Sequence, residues 1–320
     1  MQMIDFVGKR KYFFGLSIIL IVIGFIFLFI NGLELDIQFQ GGTLLKVEMP
    51  DENFDADEIA ATVGNELNKA VTGQKMRTFN PENAEEAIDM LMLKVSSKDT
   101  LTDDEIKDVI NILREKYNVK QDAQNQVQSV QPFIGREMLK DGLLAAIISS
   151  VAIVIYVWWR YRTISGLSAA VMGLVALFHD VLVMFLMYPV FRIPVNESFI
   201  AAMLTILGYS INDTIIVYDR IRENRKLYRK ASLAELVNMS TTQTLSRSIN
   251  TTITTVISVL CVFIFASINN IQSLIDFTLP LLVGLVSGSY SSIFIASPLW
   301  EMWQTYRAKK AVPGKAAKAR

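Results

Sequence analysis

Six stretches of this chain are apolar for about the thickness of a bilayer, and that restricts it to a bundle of membrane-crossing helices. A helix rising ~1.5 Å per residue needs about 20 apolar residues to cross a hydrocarbon core of ~30 Å. Inside that core every backbone amide must be bonded within its own segment, which excludes open sheet and irregular chain. The runs are about Tyr12–Ile30, Leu139–Trp159, Ile164–Met187, the stretch from Phe199 to the basic residues after Asp219, Ser248–Ile268 and Phe277–Trp300. The first is longer than a signal-peptide core and is not followed by a small-residue cleavage site, so it reads as a retained helix.

The formal net charge of zero conceals a segregation of charge that sets the topology. Bases flank the runs at Lys9-Arg10-Lys11, at Arg160 and Arg162, in the cluster Arg220, Arg222, Arg225, Lys226, Arg229 and Lys230, and along the tail from Arg307 to Lys318. Arg192 alone stands in the opposite short loops, and basic residues mark the cytoplasmic side. The expectation is six spans with both termini in the cytoplasm. The segments are 1–11 in the cytoplasm, 12–32 as the first span, an extracytoplasmic domain over 33–138, and spans two to six over 139–306. A cytoplasmic segment at 221–246, with its capping pair Ser232 and Glu235, reads as a short surface helix, and 307–320 is a basic cytoplasmic tail. The lone Cys261 and lone His179 exclude a disulfide scaffold and give no Cys/His metal centre, and nothing points to nucleic acid.

Between Leu33 and Met138 the chain is acidic and amide-rich, with no spanning run. Strand alternation over Thr43–Met49, helical spacing over Ala56–Val71, strands over Lys75–Phe79 and Ala87–Val95, a helix over Thr102–Tyr117 and a strand over Gln126–Val130 follow in turn. The order β-α-β-β-α-β is that of a ferredoxin-like α+β domain, a scaffold that carries many functions.

The fourth run holds Asn212 and Asp213 within its apolar sequence. An aspartate at mid-membrane costs about 2.5 to 3.5 kcal/mol on insertion scales, so such residues face a bundle interior and pair or titrate. The fifth run opens with Arg247 and continues through Asn250, Thr251, Thr254, Thr255 and Ser258 at helical spacing, a polar stripe suited to serve Asp213. Low dielectric favours the neutral form of a carboxyl and a nearby guanidinium the charged form, so a moving arginine would let a proton be taken up and released. Ser210, Asn250, Thr251 and Thr254 are the candidate polar relay. Asn212 and Asp180, an acid in the third run, are further ion-coupling candidates; counted from the cytoplasmic end Asp180 lies about 24 Å up, whereas Asp213 lies about 20 Å down from the outer end, so the two acids are expected apart. That disfavours an intramembrane aspartyl protease, which needs two carboxylates in one site. The structural alternatives are helix glue for the acids, interhelical packing for the small hydroxyls, and packing for Gly284 and Gly288.

The fourth run with its exit, Gly208-Tyr-Ser-Ile-Asn-Asp213-Thr-Ile-Ile-Val-Tyr-Asp219-Arg-Ile-Arg-Glu-Asn224, resembles the signature of the SecF proteins of the SecD/SecF export family, in the resistance-nodulation-division superfamily. Matching segments are Phe6-Val-Gly-Lys-Arg-Lys11, Gly41-Gly42-Thr43, His179-Asp180 and Ser246-Arg247-Ser-Ile-Asn250. One departure is Gln38-Phe39-Gln40-Gly41-Gly42, where the family usually has an acid before the phenylalanine. The resemblance implies a noncatalytic subunit without a cofactor, working with SecD as a separate chain beside the SecYEG channel. It would use a proton or sodium gradient to help move unfolded polypeptide, with Asp213 and Arg247 as coupling residues. The rival readings are a small-molecule or lipid exporter of the same superfamily and a passive assembly subunit.

Overall fold

The computed structural model describes residues 3–50, 53–79, 87–96, 101–120, 125–130, 132–269 and 271–311; the last part of the basic tail, 312–320, lies outside the described residues. Among these residues, six helical segments are long and apolar enough to cross a membrane. They are α1 (Arg10–Asn31), α5 (Pro132–Arg160), α6 (Gly166–Phe191), α7 (Glu197–Leu227), α8 (Leu233–Ile268), and α9 (Gln272–Ser291), which runs through a π-helical turn at Ser292–Ala296 into α10 (Ser297–Ala311). Helices α6, α7 and α9 form the centre, while α1, α5 and α8 leave most of their spans uncovered by the rest of the chain. The uncovered residues are Leu, Ile, Val and Phe for the most part, as lipid contact requires.

Between α1 and α5 the chain builds the short helix α2 (Ile37–Gln40), then β1 (Gly42–Glu48), α3 (Ala56–Leu67), β2 (Ala70–Phe79), β3 (Ala87–Ser96), α4 (Asp103–Tyr117) and β4 (Asn125–Val130). Asp55 caps α3 by accepting from the backbone N–H groups of Asp57 and Glu58, and Asn68 ends it in the left-handed region. The helix expected to reach Val71 therefore stops short, and Val71 belongs to β2. Thr102 and Glu105 form the capping box of α4. The strands lie in the order β2-β3-β1-β4 with every neighbouring pair antiparallel. Alternate residues Leu45, Val47, Leu91, Leu93 and Val95 turn to one face and pack on Ile59, Val63, Val109 and Leu113 of the helices. Gly42 sits at φ 146, and a Cβ there would collide with the Val95 carbonyl oxygen, so only glycine starts this strand.

The segment 221–246 is not a separate surface helix. It is divided between the end of α7 and the beginning of α8, which turn back on each other between Leu227 and Leu233. The capping box of Ser232 and Glu235 opens α8 itself, and the hydroxyls that follow bond to carbonyls one turn back, so the polar sequence continues as helix into the apolar part.

Candidate functional site

Small residues let α7 and α9 approach closely, and the polar site is built along that seam. A Cβ on Gly284 would strike the Ile206 side chain, and one on Gly288 would lie 2.8 Å from Ser210 Cβ. One turn further, Thr214 and Ser292 share a hydrogen bond of 2.9 Å, and the Ser292 hydroxyl also donates to the Ser210 carbonyl at 3.0 Å. The two helices thus run parallel in steps of one turn. The π-helical turn begins at Ser292, and an extra residue in a helix re-aims the side chains around it.

Asp180 of α6 enters this seam at 0% exposure. Its Oδ2 accepts from Ser210 and from Ser291, each at 2.7 Å, and its Oδ1 accepts from Ser287 at 2.8 Å and lies 3.1 Å from His179 Nδ1. One carboxylate thereby ties three helices together. Its contact with Ser210 puts it one turn from Asp213, much nearer than counting from the two membrane faces suggests. The reason is helix length: α6 has 26 residues, about 39 Å, so a ruler laid from one end of a ~30 Å core misplaces its midpoint.

Asp213 is treated differently. It is 1% exposed, and among the described residues neither carboxylate oxygen has a hydrogen-bond partner. The register of α7 against α8 is set by Tyr209 OH donating to Thr255 Oγ1 at 3.1 Å and by Asn224 Nδ2 donating to Ser240 Oγ at 2.8 Å. Residue 213 then lies level with residue 251 and Arg247 level with residue 217, so Arg247 is one turn, about 6 Å, farther along the axis from Asp213. The guanidinium is exposed and within Coulombic reach, but it forms no ion pair with Asp213 among the described residues.

The other sequence candidates divide between two faces. Asn212 is exposed, on the face of α7 that also shows Ala201, Thr205 and Gly208. Arg247, Asn250, Thr254 and Ser258 are exposed on α8, with Thr251 and Thr255 partly covered, and the hydroxyls of Thr251, Thr254, Thr255 and Ser258 bond to carbonyls of their own helix. The buried face of α8 is a second polar stripe, Ser240, Thr241, Thr244 and Ser248. Among the described residues Tyr218, Thr241, Ser248 and Ser297 each hold a buried hydroxyl without a partner, as Asp213 holds its carboxylate. Ser287, Ser291 and Ser292 did not stand out in the sequence, although Ser287 and Ser291 are spaced one turn apart within an apolar run. Among the described residues no group of three or more His, Cys, Asp or Glu side chains could hold a metal ion.

Comparison with known proteins places this architecture. The family described as protein export membrane protein SecD/SecF, C-terminal, matches residues 109–306. The chain is 34% identical to the protein translocase subunit SecF of Anaerolinea thermophila, covering 98% of this chain and 100% of that one. It is 34% identical to the protein translocase subunit SecDF of Bacillus subtilis, covering 96% of this chain but 39% of that one. The crystal structure of SecDF, a translocon-associated membrane protein from Thermus thermophilus, superimposes with a TM-score of 0.76 at 28% identity, covering 95% of this chain and 39% of that chain. The chain thus spans about two fifths of the fused SecDF chains and nearly the full length of the separate SecF subunit. With a family match over 109–306 and relatives aligned along almost all of its length, this multi-pass membrane chain belongs to the SecF group of the SecD/SecF family and serves the Sec protein-export machinery.

Proposed function

We propose that the chain is the ion-driven half of an export motor, with Asp213 as the group that takes up and releases the coupling ion. The observation that carries this reading is the state of that carboxylate: buried in the bundle, unpaired among the described residues, and one turn from the exposed Arg247, within its Coulombic reach. A buried charge left without a partner costs several kcal/mol, so its surroundings must be completed by something mobile. A proton or a sodium ion meets that need, and the unpartnered hydroxyls of Ser248, Thr241, Tyr218 and Ser297 extend the polar surface towards the end of the bundle that holds the termini. Each elementary charge that crosses ~100 mV releases about 2.3 kcal/mol, enough to shift a two-state equilibrium by nearly two powers of ten. No bond is made or broken in the substrate, so the role is noncatalytic and the ion is the only cofactor.

The distribution of basic residues supports an orientation with both termini in the cytoplasm and the sheet domain outside, and the likeness to bacterial SecF proteins supports a bacterial inner membrane. The sheet order β2-β3-β1-β4 with the β-α-β-β-α-β sequence supports a ferredoxin-like domain, which would hold or release emerging unfolded polypeptide beside SecYEG. The polar and small residues exposed on α7 and α8 would be costly against acyl chains and are suited to cover by another protein. SecD, as a separate chain, is the partner that fits, because this chain accounts for about two fifths of the fused SecDF proteins. Export into membrane vesicles, measured with and without a gradient, tests the motor: Asp213→Asn should retain the gradient-independent export and lose the rest. Equal stimulation of both proteins by the gradient would leave a passive assembly subunit.

A further inference from the structure

Building on the motor reading, we propose that Lys94 is a positioning residue that clamps the sheet domain to the head of α7, so that the domain follows that helix. Lys94 lies on β3 opposite Leu44, on the face of the sheet turned away from the Leu91, Leu93 and Val95 core. Its ammonium reaches Asp36 Oδ2 at 2.6 Å, with side-chain exposures of 17% and 6%. Asp36 is itself fastened to the bundle through its backbone: its N–H donates to the Val195 carbonyl at 2.9 Å, and the Val195 N–H donates to the Glu34 carbonyl at 2.8 Å. Val195 immediately precedes Asn196, whose Oδ1 caps α7 at Ser198 and whose Nδ2 donates to Asp276 Oδ2 of α9 at 2.7 Å. The other oxygen of Asp276 accepts from Gln272 at 2.6 Å, and both Lys94 and Asp36 act on Asp276 at Coulombic range.

One ammonium thus stands among two carboxylates where the sheet, its connection to α1, α7 and α9 converge. Close by, Phe39 is buried among Met184, Met187, Tyr188 and Phe199, which gives the joint an apolar pivot under its polar clamp. The ion pairs of Lys69 with Glu105, Lys107 with Asp104 and Lys116 with Glu66 stay inside the sheet domain. A rigid α7 carries any displacement at Asp213 to Asn196 and Val195, and the Asp36–Lys94 pair converts it into a movement of β3.

Spin labels at Asp108→Cys on α4 and Ser267→Cys near the end of α8, both exposed positions, in a Cys261→Ser background, report the distance between domain and bundle. The labelled full-length chain is assembled with its partner subunit in proteoliposomes and measured with and without a gradient. The native chain should give one narrow distribution that shifts with the gradient. Lys94→Met should broaden the distribution without a gradient and lose the shift, whereas Lys94→Arg should keep both. Exchange of the charges, Asp36→Lys with Lys94→Asp, should narrow the distribution again, which separates loss of the clamp from misfolding. An unchanged width in Lys94→Met overturns the clamp. Absence of a gradient shift in the native chain would count against the motor reading, while the widths would still decide the clamp.

Discussion

Two aspartates buried on adjacent helices of one bundle meet opposite surroundings. Asp180 accepts from three serine hydroxyls and lies 3.1 Å from His179 Nδ1, whereas Asp213, one turn from Ser210, has no partner for either oxygen among the described residues. The fold can evidently satisfy a buried carboxylate at this depth, so the lack of partners at Asp213 is a property of the site rather than a shortage of polar side chains. A saturated carboxylate fastens helices, because each hydroxyl it loses is left buried and unpaired. An unsaturated one keeps its capacity for a mobile ion. The difference supports a structural role for Asp180 and, within the motor proposed above, a coupling role for Asp213.

The sharpest way to break this contrast is to neutralise each acid and measure both export and stability. Asp213→Asn should abolish the gradient-dependent part of export in vesicles while changing thermal stability in detergent by no more than about 1 kcal/mol. Asp180→Ala should do the reverse on stability, costing about 3–5 kcal/mol in denaturant unfolding because several buried donors lose their acceptor at once. A stable Asp180→Ala protein would remove the distinction between the two sites. Gly284→Leu tests whether close approach of α7 and α9 underlies both surroundings; overpacking against Ile206 should cost roughly 1–3 kcal/mol and reduce stimulation of export by the gradient.

The smallest effect lies outside the membrane and sharpens the contrast from the other side. The Lys69 ammonium, followed by the Thr102 backbone N–H, holds the Glu105 carboxyl below its ordinary value of 4.5. A carboxylate lowered on folding contributes stability above that value and loses it as pH falls below, so acidification should loosen the start of α4. In water such a pair is worth a few tenths of a kcal/mol to about 1. Hydrogen exchange at Glu105 and Ile106, compared between pH 6 and pH 4 after correction for intrinsic rates, should show a modest loss of protection that Lys69→Met removes.

Much of this was legible from residues alone. The spans follow from hydropathy and length, and Asp213 stands out because a charge in an apolar run is costly wherever its helix packs. The serines around Asp180 were obscure because a small hydroxyl in a spanning helix bonds equally well to its own backbone, as Thr254 and Ser258 do, or to a neighbour, as Ser287 and Ser291 do. The polar residues of α8 were ambiguous for a related reason: they form two stripes, and periodicity separates the faces without telling which one meets α7.

Residue chemistry along the chain is enough for the set of elements: six membrane-length helices, an α+β insertion after the first, and a carboxyl group committed to the low-dielectric zone. Local hydropathy and capping suffice for these, since each depends on a residue and its near neighbours along the chain. It takes the packed fold to saturate Asp180 and not Asp213, to leave Arg247 exposed one turn away, and to bring Lys94 to Asp36 at the head of α7. Those outcomes depend on axial register and rotation between helices, which are set by close packing at Gly284 and Gly288 and by bonds between residues far apart in sequence.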